Sequence, residues 1–150
     1  RHALKEASLD ALLESWCKAG ADQASLWKDA QAAAKRHGKD IHAYQCRRME
    51  TWLANAKRDE DAIIAGTMRA STLVPDAAWI EMKAMGLERE YGQQLAEIYS
   101  ALGKHLEEKA FKPENSGGTL FYFQEALKCQ ESANKCREAA RAPVKKSGKR

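Results

Sequence analysis

With 150 residues, a net charge of +4 and 44% hydrophobic residues, the chain is most simply one domain with a modest core. No apolar run approaches the roughly 20 residues of a membrane span, and no signal-peptide pattern opens the chain. It starts at Arg1 rather than Met and so reads as a processed product whose leader, if secreted, is gone.

The charge is unevenly spread. Residues 141–150, RAPVKKSGKR, carry Arg141, Lys145, Lys146, Lys149 and Arg150 with no acid, which leaves −1 for residues 1–140. The expected organisation is a helical body over 1–140 followed by a flexible basic tail over 141–150. Such a tail can attach to a polyanion.

The helical period dominates. Leu9, Leu12, Leu13, Trp16, Cys17 and Gly20 recur at steps of three and four, and Leu26, Trp27, Ala30, Ala33, Ala34 and His37 continue it. In HGKD, 37–40, Gly38 suits a helix C-terminus and Asp40 the next N-cap. A further helix carries Cys46, Met49, Trp52, Leu53, Ala56, Ile63 and Ile64 and ends near Gly66. After TMRASTLVPD, Pro75 fits the first turn of another. Ile80, Leu87, Tyr91, Leu95, Ile98, Leu102 and Leu106 then form a long stripe. Gly86, Gly92 and Gly103 interrupt it and mark breaks or close helix contacts. FKPENSGGT, 111–119, is the clearest loop, with Thr119 expected to cap a final helix. On that helix Leu120, Phe123 and Leu127 face one way, while Tyr122, Ala126, Cys129, Ala133, Cys136 and Ala140 run down a neighbouring face. Strand patterns are nearly absent. The expected fold is an all-α, single-domain bundle of four to five helices.

The four tryptophans at 16, 27, 52 and 79 have the spacing and neighbours of core residues. Four cysteines, an even number, fit two disulfides in an oxidising compartment. On one helix Cys129 and Cys136 lie roughly 10 Å apart. A disulfide needs Cα atoms within about 7 Å, and a tetrahedral zinc needs sulfurs converging at about 2.3 Å. These two therefore neither bond each other nor share a zinc. Stapling by 17–129 with 46–136, or by 17–136 with 46–129, is expected, free buried thiols being the other reading.

Catalytic motifs are missing: there is no nucleophile elbow, phosphate loop or HExxH. None of His2, His37, His42 and His105 has a Glu three residues before it, as a di-iron bundle requires. Glu88, Glu90, Glu97, Glu107 and Glu108 match the charged faces of solvated helices. The chain is expected not to be an enzyme, with no catalytic residue, cofactor or metal site. Arg47 and Arg48 adjoin a cysteine at the edge of an apolar stripe, where they could form a recognition patch.

CRRMETWLANA at 46–56 resembles the Arg-Arg, Met, Trp, Ala-Asn cluster in the second helix of gastropod (abalone) sperm lysins. AGAD at 19–22, RHGKDI at 36–41, GLEREYGQQLAEIY at 86–99 and the terminal RAPVKKSGKR are similar to further stretches of that family, in the same order. The resemblance implies a divergent acrosomal fertilisation protein with a helical bundle fold. It would be stored in the acrosomal vesicle and secreted, and would act without catalysis. The partner implied is an egg-envelope glycoprotein or an anionic gamete membrane rather than nucleic acid, and a homodimer is compatible with it. Arg47 and Arg48 match the family's basic pair, and with Arg141, Lys145, Lys146, Lys149 and Arg150 they are the candidate partner-binding residues. A small secreted or periplasmic bacterial binding protein, of inhibitor or immunity type, is the main alternative. An intracellular helical adaptor with reduced thiols is a third.

Overall fold

A computed structural model describes residues 41–142, together with Lys28, Asp29, Ala32 and Lys35, which are helical. The rest of the periods expected over 9–17 and 26–37, the Gly38 and Asp40 caps, Trp16, Trp27 and Cys17 lie outside the described residues. So do Lys145, Lys146, Lys149 and Arg150. By its internal contacts the chain forms two compact units, residues 1–48 and 49–150. Of the residues described, 41–48 fall in the first unit and 49–142 in the second.

The described fold is all-α: α1 (Ile41–Ala65), α2 (Leu73–Met85), α3 (Glu88–Ala110), a short 3-10 turn (Pro113–Gly118) and α4 (Thr119–Arg141). No helix among the described residues is long and apolar enough to cross a membrane.

Two helix ends are set by glycine. Gly66 and Gly86 adopt φ of 83° and 71°, which an L side chain rarely tolerates. At each, a pair of backbone bonds closes the helix: Gly86 N–H to Lys83 O with Leu87 N–H to Met82 O, and Gly66 N–H to Ile63 O with Thr67 N–H to Ala62 O. This is the Schellman arrangement, which satisfies carbonyls the helix would otherwise leave orphaned. Leu87 and Met82, flanking the first of these ends, are fully buried. Pro75 lies in the first turn of α2, as expected.

The region 111–119 is not the open loop its composition suggested. Pro113–Gly118 winds into a 3-10 turn, and the Asn115 amide donates to Lys109 O, 3.2 Å away, at the end of α3. Nor does Thr119 cap α4. It is the first helical residue, and its hydroxyl donates back to Ser116 O at 3.2 Å.

The centre of the bundle is the antiparallel pair α3 and α4. The buried positions of α4 are Ala126, Cys129, Ala133 and Cys136, spaced three and four apart. Opposite them α3 offers Gly92 and Gly103, eleven residues or three turns apart and so on one face. A Cβ at Gly92 would stand 2.8 Å from the carbonyl oxygen of Cys136, and one at Gly103 would stand 3.3 Å from the Cβ of Cys129. Both glycines mark close helix contacts, whereas Gly86 marks a break. Larger residues of α3, namely Leu95, Ile98, Tyr99, Leu102 and Leu106, fill the space around this seam. Each such side chain contributes about 1.5–3 kcal/mol when fully buried.

α2 packs on α3, α1 also buries an apolar stripe, and a few polar ties join both helices to α3. On α1, Met49, Leu53, Ala56 and Ile63 are buried, and on α2, Ala78, Met82 and Met85. The Tyr99 hydroxyl donates to Asp76 of α2, and Tyr91 donates to Glu50 of α1 at 2.8 Å. Trp52 and Trp79 are half-buried rather than core residues. Trp79 instead receives the Lys83 ammonium over its ring at 5.1 Å. Ile64 and Ile80, expected on the apolar stripes, are 45% and 54% exposed.

Disulfide stapling is overturned. Cys46, Cys129 and Cys136 are free thiols. Both expected patterns required Cys46 to bond Cys129 or Cys136, so neither forms. The physical reason lies in the seam: positions 129 and 136 need side chains small enough for the glycine-bearing face of α3, and a thiol is a small hydrophobe. Burial pushes both thiols up to about 11, which leaves them protonated and unreactive near neutral pH. Cys46 is half-buried, with its sulfur 3.5 Å from His42 Nε2 one helical turn away.

Candidate functional site

In the second unit a cleft lies where the end of α1, the connection to α2, the end of α3 and the start of α4 meet. Its volume is about 800 Å³, within the roughly 300–1,000 Å³ range of small-molecule sites. Three turns build it. The left-handed Gly66 stops α1 and sends Thr67, Met68, Arg69 and Ala70 along one wall. The final turns of α3 supply His105 and Lys109, one turn apart on one face, with Lys112 just beyond. The 3-10 turn brings round Glu114 and Asn115 and delivers Phe121 and Tyr122 on the first turn of α4.

Charge and aromatic surface are paired in this cleft. Arg69, Lys109 and Lys112 give three cations against the single carboxylate of Glu114. The Lys109 ammonium sits 5.1 Å from the centroid of the Tyr122 ring, in cation–π contact. Phe121 meets Tyr122 edge to face at 5.5 Å. The position of Tyr122 depends on Gly118, because a Cβ there would approach the ring to 3.1 Å. His105 is held below its usual pKa, first by burial and then by the charge of Lys109, with Lys112 acting in the same direction and Glu108 opposing. It is therefore neutral near pH 7, able to accept or donate a hydrogen bond.

A second, smaller depression holds Thr72, Asp76, Tyr99, Glu125 and Lys128. Asp76 accepts from the Tyr99 hydroxyl and from Thr72 Oγ1 at 2.9 Å. Burial first, and then Asp76, raises the Tyr99 phenol far above its usual pKa, so it stays protonated and serves as a tie between helices. Among the described residues no three His, Cys, Asp or Glu side chains group as a metal site would require.

Of the expected partner-binding residues, the described ones, Arg47, Arg48 and Arg141, are not part of the cleft lining. Arg47 is exposed, with its guanidinium 6.0 Å from the Tyr44 ring, while Arg48, the next residue of the helix, is half-buried. Arg141 is exposed at the last turn of α4. The cleft residues Arg69, Lys109, Lys112 and Tyr122 carry no functional expectation from the sequence, where His105 figures only as lacking a Glu three residues before it. A signal was available: His105, Lys109 and Lys112 are spaced four and three apart, the period of one helix face, and an FYF run follows nine residues later.

No protein-family model, curated protein or solved structure matches this chain.

Proposed function

We propose that this protein is a non-enzymatic binding protein acting stoichiometrically through its surface. Within that class, we propose a secreted acrosomal fertilisation protein whose partner is an egg-envelope glycoprotein. The observation that carries the binding role is the cleft, in which three cations and two aromatic rings converge beside one carboxylate. This combination suits an anionic, partly apolar ligand. The fertilisation role rests on the resemblance of residues 46–56 and the four accompanying stretches to gastropod sperm lysins. The free thiols remove the sulfur argument for an oxidising compartment, so secretion rests on that resemblance as well. A concave site favours a glycoprotein branch over the flat surface of a membrane.

The test uses isolated egg envelopes, excess protein and hydrolase inhibitors. Dispersal in proportion to the protein added is the expected result. Sustained dispersal at trace protein would require a catalyst, and binding to anionic vesicles alone would move the partner to the membrane.

A further inference from the structure

We propose that the cleft at the α3–α4 turn is a subsite for an acidic sugar, one bearing a sulfate ester or a carboxylate. This deepens the glycoprotein-binding role and rests on it for the ligand being a glycan. The inference stands on how three kinds of group are placed together. Arg69, Lys109 and Lys112 present cationic donors to an oxyanion, and neutral His105 adds a hydrogen-bonding nitrogen among them. Tyr122 and Phe121 provide aromatic surface for the apolar C–H face of a pyranose ring, and Phe121 is 60% exposed. Glu114 and Asn115, on the same lining, are acceptors for sugar hydroxyls.

With three cations against the single carboxylate of Glu114 the lining keeps a net positive charge, so an acidic sugar is attracted while a neutral sugar leaves the cations unanswered. Lys109 is positioned over Tyr122 and the Asn115 amide is tied to Lys109 O, so ordering these two groups costs the protein little.

The experiment titrates the full chain with four probes: N-acetylglucosamine 6-sulfate, sialic acid, unmodified N-acetylglucosamine and adenosine monophosphate. Binding is followed by NMR shifts of the His105 and Tyr122 side chains. At least one acidic sugar should shift both, at least about tenfold tighter than the neutral sugar and more tightly than the nucleotide. The sulfate and carboxylate arms tell the two acid groups apart. The double variant Arg69→Gln/Lys112→Gln changes two exposed side chains, and it should weaken that sugar about tenfold or more with an unchanged melting temperature. Equal binding of the neutral sugar, tighter binding of the nucleotide, shifts confined to other residues, or undiminished affinity in the variant would each overturn the assignment. Envelope dispersal by the same variant separates the two levels. Sugar binding at the cleft without any envelope effect leaves the subsite standing and removes the fertilisation role. Envelope dispersal without sugar binding does the reverse.

Discussion

The two faces of α4 distribute size in opposite ways. Its inner face holds Ala126, Cys129, Ala133 and Cys136, nothing larger than a thiol, and all four are buried. Its outer face holds Leu120, Phe123 and Leu127, which are 68%, 36% and 51% exposed. Hydrophobicity alone would turn the helix the other way, because a Leu gains far more from burial than an Ala. What decides the rotation is the partner. The α3 face opposite carries Gly92 and Gly103, so the two backbones approach until a Cβ barely fits. The core is close-packed, and shape complementarity outweighs the transfer energy of individual residues.

The largest consequence concerns the thiols. Under native conditions an alkylating reagent should modify half-buried Cys46 while Cys129 and Cys136 react on the order of a hundredfold slower, since they need local opening. In denaturant without reductant all three should label. A bridge surviving among them would break the seam account.

The second test compares the two glycines. Gly92→Ala places a Cβ against a backbone oxygen, which cannot retreat alone, and should cost about 1–3 kcal/mol in urea unfolding. At Gly103 the nearest atom, at 2.8 Å, is Nε2 of Gln130, the end of a flexible side chain. The helix-propensity gain of roughly 1 kcal/mol over Gly then offsets much of the clash, and Gly103→Ala should cost less. Equal costs would show that the seam is looser at the Gly92 end than its geometry states.

The pH dependence at the cleft comes next. His105 has a folded pKa below its unfolded value near 6.5. The folded state therefore binds fewer protons in the window beneath 6.5, and stability rises with pH there. The contribution is complete above pH 6.5, is lost as pH falls toward the folded pKa, and changes no further below it. His105→Gln should flatten this part of a melting-temperature profile against pH. An unchanged slope would place the burial of His105 in doubt.

The smallest effect is on the outer face of α4. Leu127→Gln should change stability by no more than about 0.5 kcal/mol, as for other exposed positions. A cost near that of Gly92→Ala would mean the outer face is packed after all.

Much of the candidate site could be read before folding only as scattered fragments. His105, Lys109 and Lys112 announce one face of a helix end, and the glycines at 117 and 118 announce a change of direction before the aromatic run. That Arg69 lies with them from another connection follows from the packing of α2 against α3, which no local pattern encodes. The expected site residues went the other way. Arg47 and Arg48 are neighbours in sequence, but the 3.6-residue period turns adjacent side chains about 100° apart, which leaves one exposed and the other half-buried.

What the sequence determined by itself is local in origin. Helices over 41–65 and 119–141 and the stop at Gly66 follow from periodicity and backbone chirality acting within a turn or two, whereas the long stripe over 80–106 leaves open which of Gly86, Gly92 and Gly103 breaks it. The tertiary structure decided which stripe of each helix turns inward, left the sulfurs as small spacers rather than staples, and gathered Arg69, His105, Lys109, Lys112 and Glu114 around two aromatic rings. Those outcomes depend on which surface lies opposite, a relation between residues dozens of positions apart that no single helix specifies.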